Sequence, residues 1–161
     1  MTVVGVTGHQ DLPADARPLI VGSVRGILTL TPPPITAVSS LAAGADQLVA
    51  HQVLAAGGGL HAVIPSTDYE RTMSGPDLTA YRRLLRLAEH VTRLDFQTAN
   101  EEAFDAAGRW VVEHCETLIA VWDGQPARGK GGTADAVAYA EQLGLPIHII
   151  WPPNTLRTQP R

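Results

Sequence analysis

The residues best suited to chemistry lie in the stretch 117–137, Thr-Leu-Ile-Ala-Val-Trp-Asp-Gly-Gln-Pro-Ala-Arg-Gly-Lys-Gly-Gly-Thr-Ala-Asp-Ala-Val. The short apolar run 118–122 reads as a buried strand. Asp123 and Gly124 end it, and a loop with Gly129, Gly131 and Gly132 leads into a helical pattern at Thr133. Glycines let a backbone approach a ligand closely, and the first N–H groups of a helix have no partner within it. Such a corner suits an anion. Arg128 and Lys130 make phosphate the best fit, with Thr133 as a further donor. Asp123 is placed to accept from ribose hydroxyls or a base. Trp122 offers a stacking face, although an aromatic at a strand end equally well serves packing. The loop is not a P-loop, because no Lys-Ser/Thr pair follows the glycines. The competing reading is an ordinary strand-to-helix turn eased by glycine.

Two further corners have the same character. Thr7-Gly8-His9-Gln10 follows a β-branched run at 3–7. Gly8 permits close backbone approach, and His9 is a donor for a phosphate or base unless it is simply a satisfied surface histidine. Ser39-Ser40-Leu41-Ala42-Ala43-Gly44-Ala45-Asp46 follows a second run at 35–39. There Ser39, Ser40 and the N–H groups of Gly44, Ala45 and Asp46 form a holder for phosphate or ribose. Capping of the next helix by Ser40 or Asp46 is the simpler role, and the two are compatible.

Other chemistries are poorly supplied. His51, His61, His90, His114 and His148 show no metal-ligand spacing, and there is no His-Glu-x-x-His and no cysteine cluster. No Gly-x-Ser-x-Gly elbow is present. The expectation is therefore no metal and no resident cofactor. The single Cys115 rules out an internal disulfide, suits a reducing compartment and reads as a packing thiol at a helix end.

The elements that must position these corners follow from periodicity. The 161 residues are 45% hydrophobic and 17% charged, the balance of one globular domain with an adequate core. Strands are predicted at 3–7, 35–39, 60–64, 90–96, 118–122 and 147–151. Helices are predicted from near Pro18, where Ile20, Val24, Ile27 and Leu28 form a stripe, and after Asp46, with Leu48, Val49 and Val53 buried. A third carries Leu78, Tyr81 and Leu85 behind a Ser74–Asp77 capping box, with Arg82, Arg83 and Arg86 as its solvated side. A fourth carries Phe104, Ala107, Val111 and Cys115 behind a Thr98–Glu101 capping box. The last runs over 133–143, stopped by Gly144 and Pro146. Pro65 closes the third strand, and 66–75 is an irregular loop. Six strands alternating with five helices give an α/β domain with a mainly parallel sheet and helices on both faces. If the strands before the three corners are neighbours, the corners converge on one cleft at the carboxyl ends.

The net charge is −4 and the pI about 5.8, so no general basic field attracts nucleic acid. No signal peptide and no membrane-length apolar run is visible, so a cytoplasmic protein is expected.

The motifs carry a resemblance. Val-Thr-Gly-His-Gln, Val-Ser-Ser-Leu-Ala-Ala-Gly-Ala-Asp-Gln-Leu-Val-Ala-His, Ala-Val-Ile-Pro, and Ile-Ala-Val-Trp-Asp-Gly with Gly-Lys-Gly-Gly-Thr-Ala-Asp together resemble the SLOG superfamily. That superfamily groups the Lonely Guy (LOG) phosphoribohydrolases with the Rossmann-like domain of the DNA-processing protein DprA. The resemblance spans about residues 2–151. It implies a Rossmann-like three-layer α/β/α domain over residues 1–151 with a tail at 152–161, nucleotide binding, and a homodimer or higher homo-oligomer. LOG enzymes carry Pro-Gly-Gly-x-Gly-Thr-x-x-Glu, with catalytic glutamate and an upstream arginine. Here the glutamate position is Ala136, and Asp135 and Arg109 are the nearest candidates for the pair. The leading expectation is a binder of a nucleotide or nucleotide-derived small molecule. The alternatives are a nucleoside 5′-monophosphate phosphoribohydrolase using Asp135 or Asp46, and a DprA-like single-stranded DNA binder, which the acidic pI disfavours.

Overall fold

The computed structural model describes residues 1–126 and 131–156. The apolar runs form six strands, β1 (Thr2–Gly8), β2 (Ile35–Ser39), β3 (Gly59–Ser66), β4 (His90–Phe96), β5 (Thr117–Val121) and β6 (Ile147–Ile150). Between them lie α1 (Arg17–Thr29), α2 (Ala45–Ala55), α3 (Gly75–Leu87), α4 (Glu101–Glu113) and α5 (Thr133–Gln142), with a short 3₁₀ turn at Tyr69–Thr72. Every strand pairing is parallel, in the order β4-β3-β2-β1-β5-β6. The chain steps outward from β1 to β4, then returns to place β5 on the other side of β1. Strand order therefore reverses between β1 and β5, the position where open α/β sheets bind ligands. Because β2, β1 and β5 are neighbours, the condition for the three glycine-bearing corners to converge is met.

Central strands buried on both faces are continuous apolar runs, and Leu118, Ile119, Ala120 and Val121 of β5 are fully buried. On one face Ile20, Val24 and Leu28 of α1 join Leu48, Val49 and Val53 of α2 and Tyr81 and Leu84 of α3. On the other, Ala107, Val111 and Val112 of α4 and Ala136 and Ala140 of α5 cover Val38, Val63 and Leu118. This is the expected Rossmann-like three-layer α/β/α arrangement.

The differences from the sequence reading are local. β3 runs through Pro65 to Ser66 instead of stopping, and its register with β4 shifts between Ile64 and Ser66. Proline has no N–H for the ladder, so an irregularity there is its usual setting. The cap of α4 is Asn100, whose Oδ1 accepts the Ala103 N–H at 2.9 Å, and not the expected Thr98–Glu101 box. Ser74 precedes α3, but its side chain makes no capping bond. Cys115 lies just past α4 with Sγ against β1, where a Cβ on Gly5 would meet it at 2.7 Å. Burial pushes the thiol up to about 11, which suits packing and not nucleophilic chemistry. Among the described residues no helix is long and apolar enough to cross a membrane.

Candidate functional site

The carboxyl ends of β1, β2 and β5 open into a cleft of about 430 Å³. Its floor is apolar, with Val6, Val112 and Leu118, and α4 supplies Phe104 and Gly108. The polar rim carries Gln10, Asp11, Ser40, Asp46, Glu101 and Thr133.

The β2–α2 corner is occupied by its own groups. Ser39 is fully buried, and its Oγ accepts the Leu41 N–H at 3.0 Å. Leu41 sits at φ 57°, a left-handed conformation unusual for a branched side chain. The Gln47 amide holds it there by donating to the Leu41 carbonyl at 3.1 Å and to the Asp77 carbonyl at 3.0 Å. The Ala45 N–H, at the start of α2, donates to the His9 carbonyl at 3.0 Å. Asp46 Oδ2 accepts the Ala42 N–H at 3.3 Å, and the carboxyl is also hydrogen-bonded to Ser39. A side-chain carboxyl group thus already stands at the start of α2. Burial raises the Asp46 pKa to about 7, against the partial relief of those two hydrogen bonds.

The glycines of the first two corners admit chain to chain. A Cβ on Gly8 would run into the Ala45 methyl, and one on Gly44 into the Gln10 carbonyl. His9 is buried, with Nε2 3.1 Å from Asp123 Oδ1 and 3.1 Å from the Asp123 backbone nitrogen. A protonated Nε2 donates to the carboxylate, and a bare one accepts the backbone N–H. Either way the ring ties the β1 corner to the β5 corner, and Trp151 packs edge-on against it at 5.3 Å. Asp123 Oδ1 also accepts the Gln125 N–H at 3.0 Å, and Gly124 takes φ 82° in this turn. The Trp122 indole N–H donates to the Gln125 carbonyl at 2.8 Å.

The β5–α5 corner is different. Gly131 takes φ 82° and packs so tightly on α4 that a Cβ would collide with the Asp105 backbone nitrogen. Its N–H donates to Asp135 Oδ2 at 2.9 Å, so Asp135 is a capping side chain turned back on its own loop. Gly132 and Thr133, at the start of α5, stand on the cleft wall. Gly129 and Lys130, with Arg128, lie outside the described residues.

Of the sequence candidates, Gly8, His9, Ser40, Asp46, Gly131, Gly132 and Thr133 line the cleft, while Ser39, Gly44, Asp123 and Gly124 do not. Arg109 and Asp135 are not brought together as a hydrolytic pair. Arg109 Nε donates to Asp105 at 3.2 Å, and its guanidinium covers the Tyr139 ring at 4.5 Å, outside the cleft. Sequence reasoning missed Tyr69, Glu101 and Phe104 as lining residues. No local motif marks them, because tertiary packing of α4 and the 3₁₀ turn brings them to the site. Among the described residues no group of three or more His, Cys, Asp or Glu could hold a metal.

No family model matches the sequence, and no curated protein matches it significantly. Solved structures do share its fold. DNA processing protein A of Streptococcus pneumoniae superposes with a TM-score of 0.69 at 19% identity, covering 96% of this chain and 52% of that one. The Helicobacter pylori DNA processing protein A, described for its single-stranded DNA binding mode, gives 0.65 at 16% identity, with 95% and 67% covered. The molybdenum cofactor binding protein of Rippkaea orientalis gives 0.59 at 15% identity, with 92% and 75% covered. This chain therefore spans about half the length of the S. pneumoniae protein. The fold resemblance carried by the sequence motifs holds in the structure.

Proposed function

We propose that the cleft binds a nucleotide or nucleotide-derived small molecule, with its phosphate at the start of α5 and its ring against Phe104 and the apolar floor. The observation that carries this reading is the position of Gly132 and Thr133. They bring a helix N-terminus to the wall of a cleft at the β1/β5 reversal, while the neighbouring corner is filled by Asp46. The volume, about 430 Å³, lies in the range of small-molecule sites. That the R. orientalis relative is a molybdenum cofactor binding protein is consistent with a small ligand on this fold.

Calorimetry with nucleoside 5′-monophosphates tests the reading. Gly132 lies at φ −78°, ψ 179°, extended backbone that any residue adopts. Gly132→Asp is compatible with that backbone and sets a carboxylate against the phosphate. The expected loss is roughly a hundredfold in affinity. Unchanged affinity in the folded variant removes this corner from the site.

The H. pylori relative makes single-stranded DNA the second binding candidate. Asp11, Asp46 and Glu101 on the cleft and a net charge of −4 oppose a long polyanion, so no appreciable DNA affinity is expected at physiological salt. Hydrolysis has one observation in its favour: Asp46 lies on the cleft wall and titrates near neutrality, as a general acid must. Asp135, held on Gly131, is less available. The binder reading expects little release of free base from nucleoside monophosphates. Robust release lost in Asp46→Asn, with the variant folded, would establish the enzyme instead.

A further inference from the structure

The helices over the two faces of the sheet differ in charge. Within α4 and α5 stand Glu101, Glu102, Asp105, Glu113, Asp135 and Glu141 against Arg109. Within α1, α2 and α3 stand Arg17, Arg25, Arg82, Arg83 and Arg86 against Asp46 and Asp77. Asp46 is buried toward the cleft, so the outer surface of the second layer is more basic than its sequence.

Two of these cations, Arg17 and Arg25, line a groove of about 560 Å³ between α1 and α2. Arg17, Val21 and Arg25 recur every fourth residue and so share one stripe of α1. Leu48, His51 and Gln52 of α2 face them across the groove. The Arg25 Nε–H donates to Gln52 Oε1 at 2.9 Å, which fixes the guanidinium against the groove wall. From α3, Arg83 Nη1 comes within 3.4 Å of His51 Nδ1. Arginine has no acceptor, so Nδ1 accepts and the ring proton sits on Nε2. Burial, and then Arg83, hold His51 below its ordinary value, which keeps the ring neutral at pH 7 with Nε2–H as a donor.

Arg17 and Arg25 line the groove and have no carboxylate partner among the described residues. Arg82 is paired with Glu70 at 3.0 Å, and Arg109 with Asp105 at 3.2 Å. Among the described residues Arg17, Arg25 and Arg83 make no ion pair. Asp15 lies two residues before Arg17 and is not paired with it. Two unneutralised guanidinium groups on the groove, one already positioned, with a third behind His51, make a local positive field in an acidic chain.

We propose that the α1–α2 groove is a second anion site, separate from the cleft, that takes a small phosphoryl-bearing anion. Arg17 and Arg25 hold its oxygens through forked N–H donors, the geometry guanidinium groups match best. His51 donates from Nε2, and Arg83 adds charge from behind the ring. The groove is short and walled by Val21 and Leu48, which suits a compact di-anion better than an extended strand.

Inorganic pyrophosphate is the probe, titrated into the full chain and followed by amide shifts in ¹⁵N–¹H NMR. The expected result is saturable shifts within residues 17–25 and 48–52. Arg17 and Arg25 are both exposed, so the double variant Arg17→Ala, Arg25→Ala stays folded. It should weaken that response roughly a hundredfold, about tenfold for each guanidinium removed. Gly132→Asp should leave the groove response unchanged, which separates this site from the cleft. Absence of groove shifts, or shifts that persist in the double variant, overturns the proposal. So does a single-stranded oligonucleotide that displaces pyrophosphate from the groove, binds more tightly and weakens steeply with salt.

Discussion

The β2–α2 and β5–α5 corners begin from the same ingredients: a buried parallel strand, a loop with glycine, a helix start and an aspartate in the first turn. They end in opposite states. In the β2–α2 corner, Ser39, Gln47, Asp46 and the His9 carbonyl satisfy the loop and the helix start from within the protein. In the β5–α5 corner, among the described residues, Asp135 accepts the loop N–H of Gly131, and Gly132 and Thr133 stand on the cleft wall. The difference is one of position. Asp46 is buried between β2 and the 3₁₀ turn, with Tyr69 close enough to be affected by its charge. Asp135 stays at the surface and reaches back along the chain. The two helix starts thus differ in where their own aspartate goes, one turned in to the Ala42 N–H and one out to the Gly131 N–H.

The comparison breaks most visibly at Gly44. It holds φ 81°, ψ −122°, and a Cβ there would strike the Gln10 carbonyl and come to 2.6 Å from the His9 oxygen. Gly44→Ala should cost more than about 3 kcal/mol, a large share of a small domain's stability. Denaturant unfolding checks this. A near-normal midpoint would mean the first corner has room to open, and the contrast would fail. Gly132→Ala, in extended backbone, should change stability by less than about 1 kcal/mol.

Next in size is the pH dependence of the closed corner. Asp46 has a pKa of about 7 in the fold against an ordinary 3.8. Between those values the unfolded chain has released a proton that the folded chain keeps, so this group's contribution falls as pH rises. At most about 4 kcal/mol is lost across that window. Asp46→Asn does not titrate, so its stability relative to wild type should climb between about pH 4 and pH 7. Parallel unfolding profiles over that range would show that Asp46 is not held neutral by burial. A smaller effect belongs to Asp135→Ala, which removes the cap on Gly131 and should cost about 1 kcal/mol. The same change takes a negative charge from the first turn of α5, so phosphate affinity should rise a few-fold, read by calorimetry.

The frame was legible because its signals are local. The apolar runs at 35–39 and 90–96 match β2 and β4, and Pro18 marked the first turn of α1. The convergence of three corners hung on whether β2, β1 and β5 are neighbours, which only the sheet order settles. What escaped depends on partners distant in sequence. Pro65 reads as a stop, yet β3 passes it because β4 pairs on both sides of the shift. Asn100 displaced Thr98 as the cap of α4, a choice between adjacent polar residues that local pattern cannot make. Gly8 and Gly44 also let the two neighbouring corners approach each other, a contact between distant segments that local sequence does not mark. Glu101 and Phe104 reach the cleft only because α4 crosses its mouth. Asp46 and Asp135 look alike in the sequence, and only their burial separates them.

The central claim is that phosphate docks on α5 and not on α2, and a crystal structure with a bound nucleoside 5′-monophosphate tests it most directly. The account predicts phosphate oxygens within hydrogen-bond distance of the backbone N–H groups at Gly132 and Thr133, with Asp46 still bonded to the Ala42 N–H. A phosphate seated instead on the start of α2, with the Asp46 side chain displaced from Ala42, would contradict it.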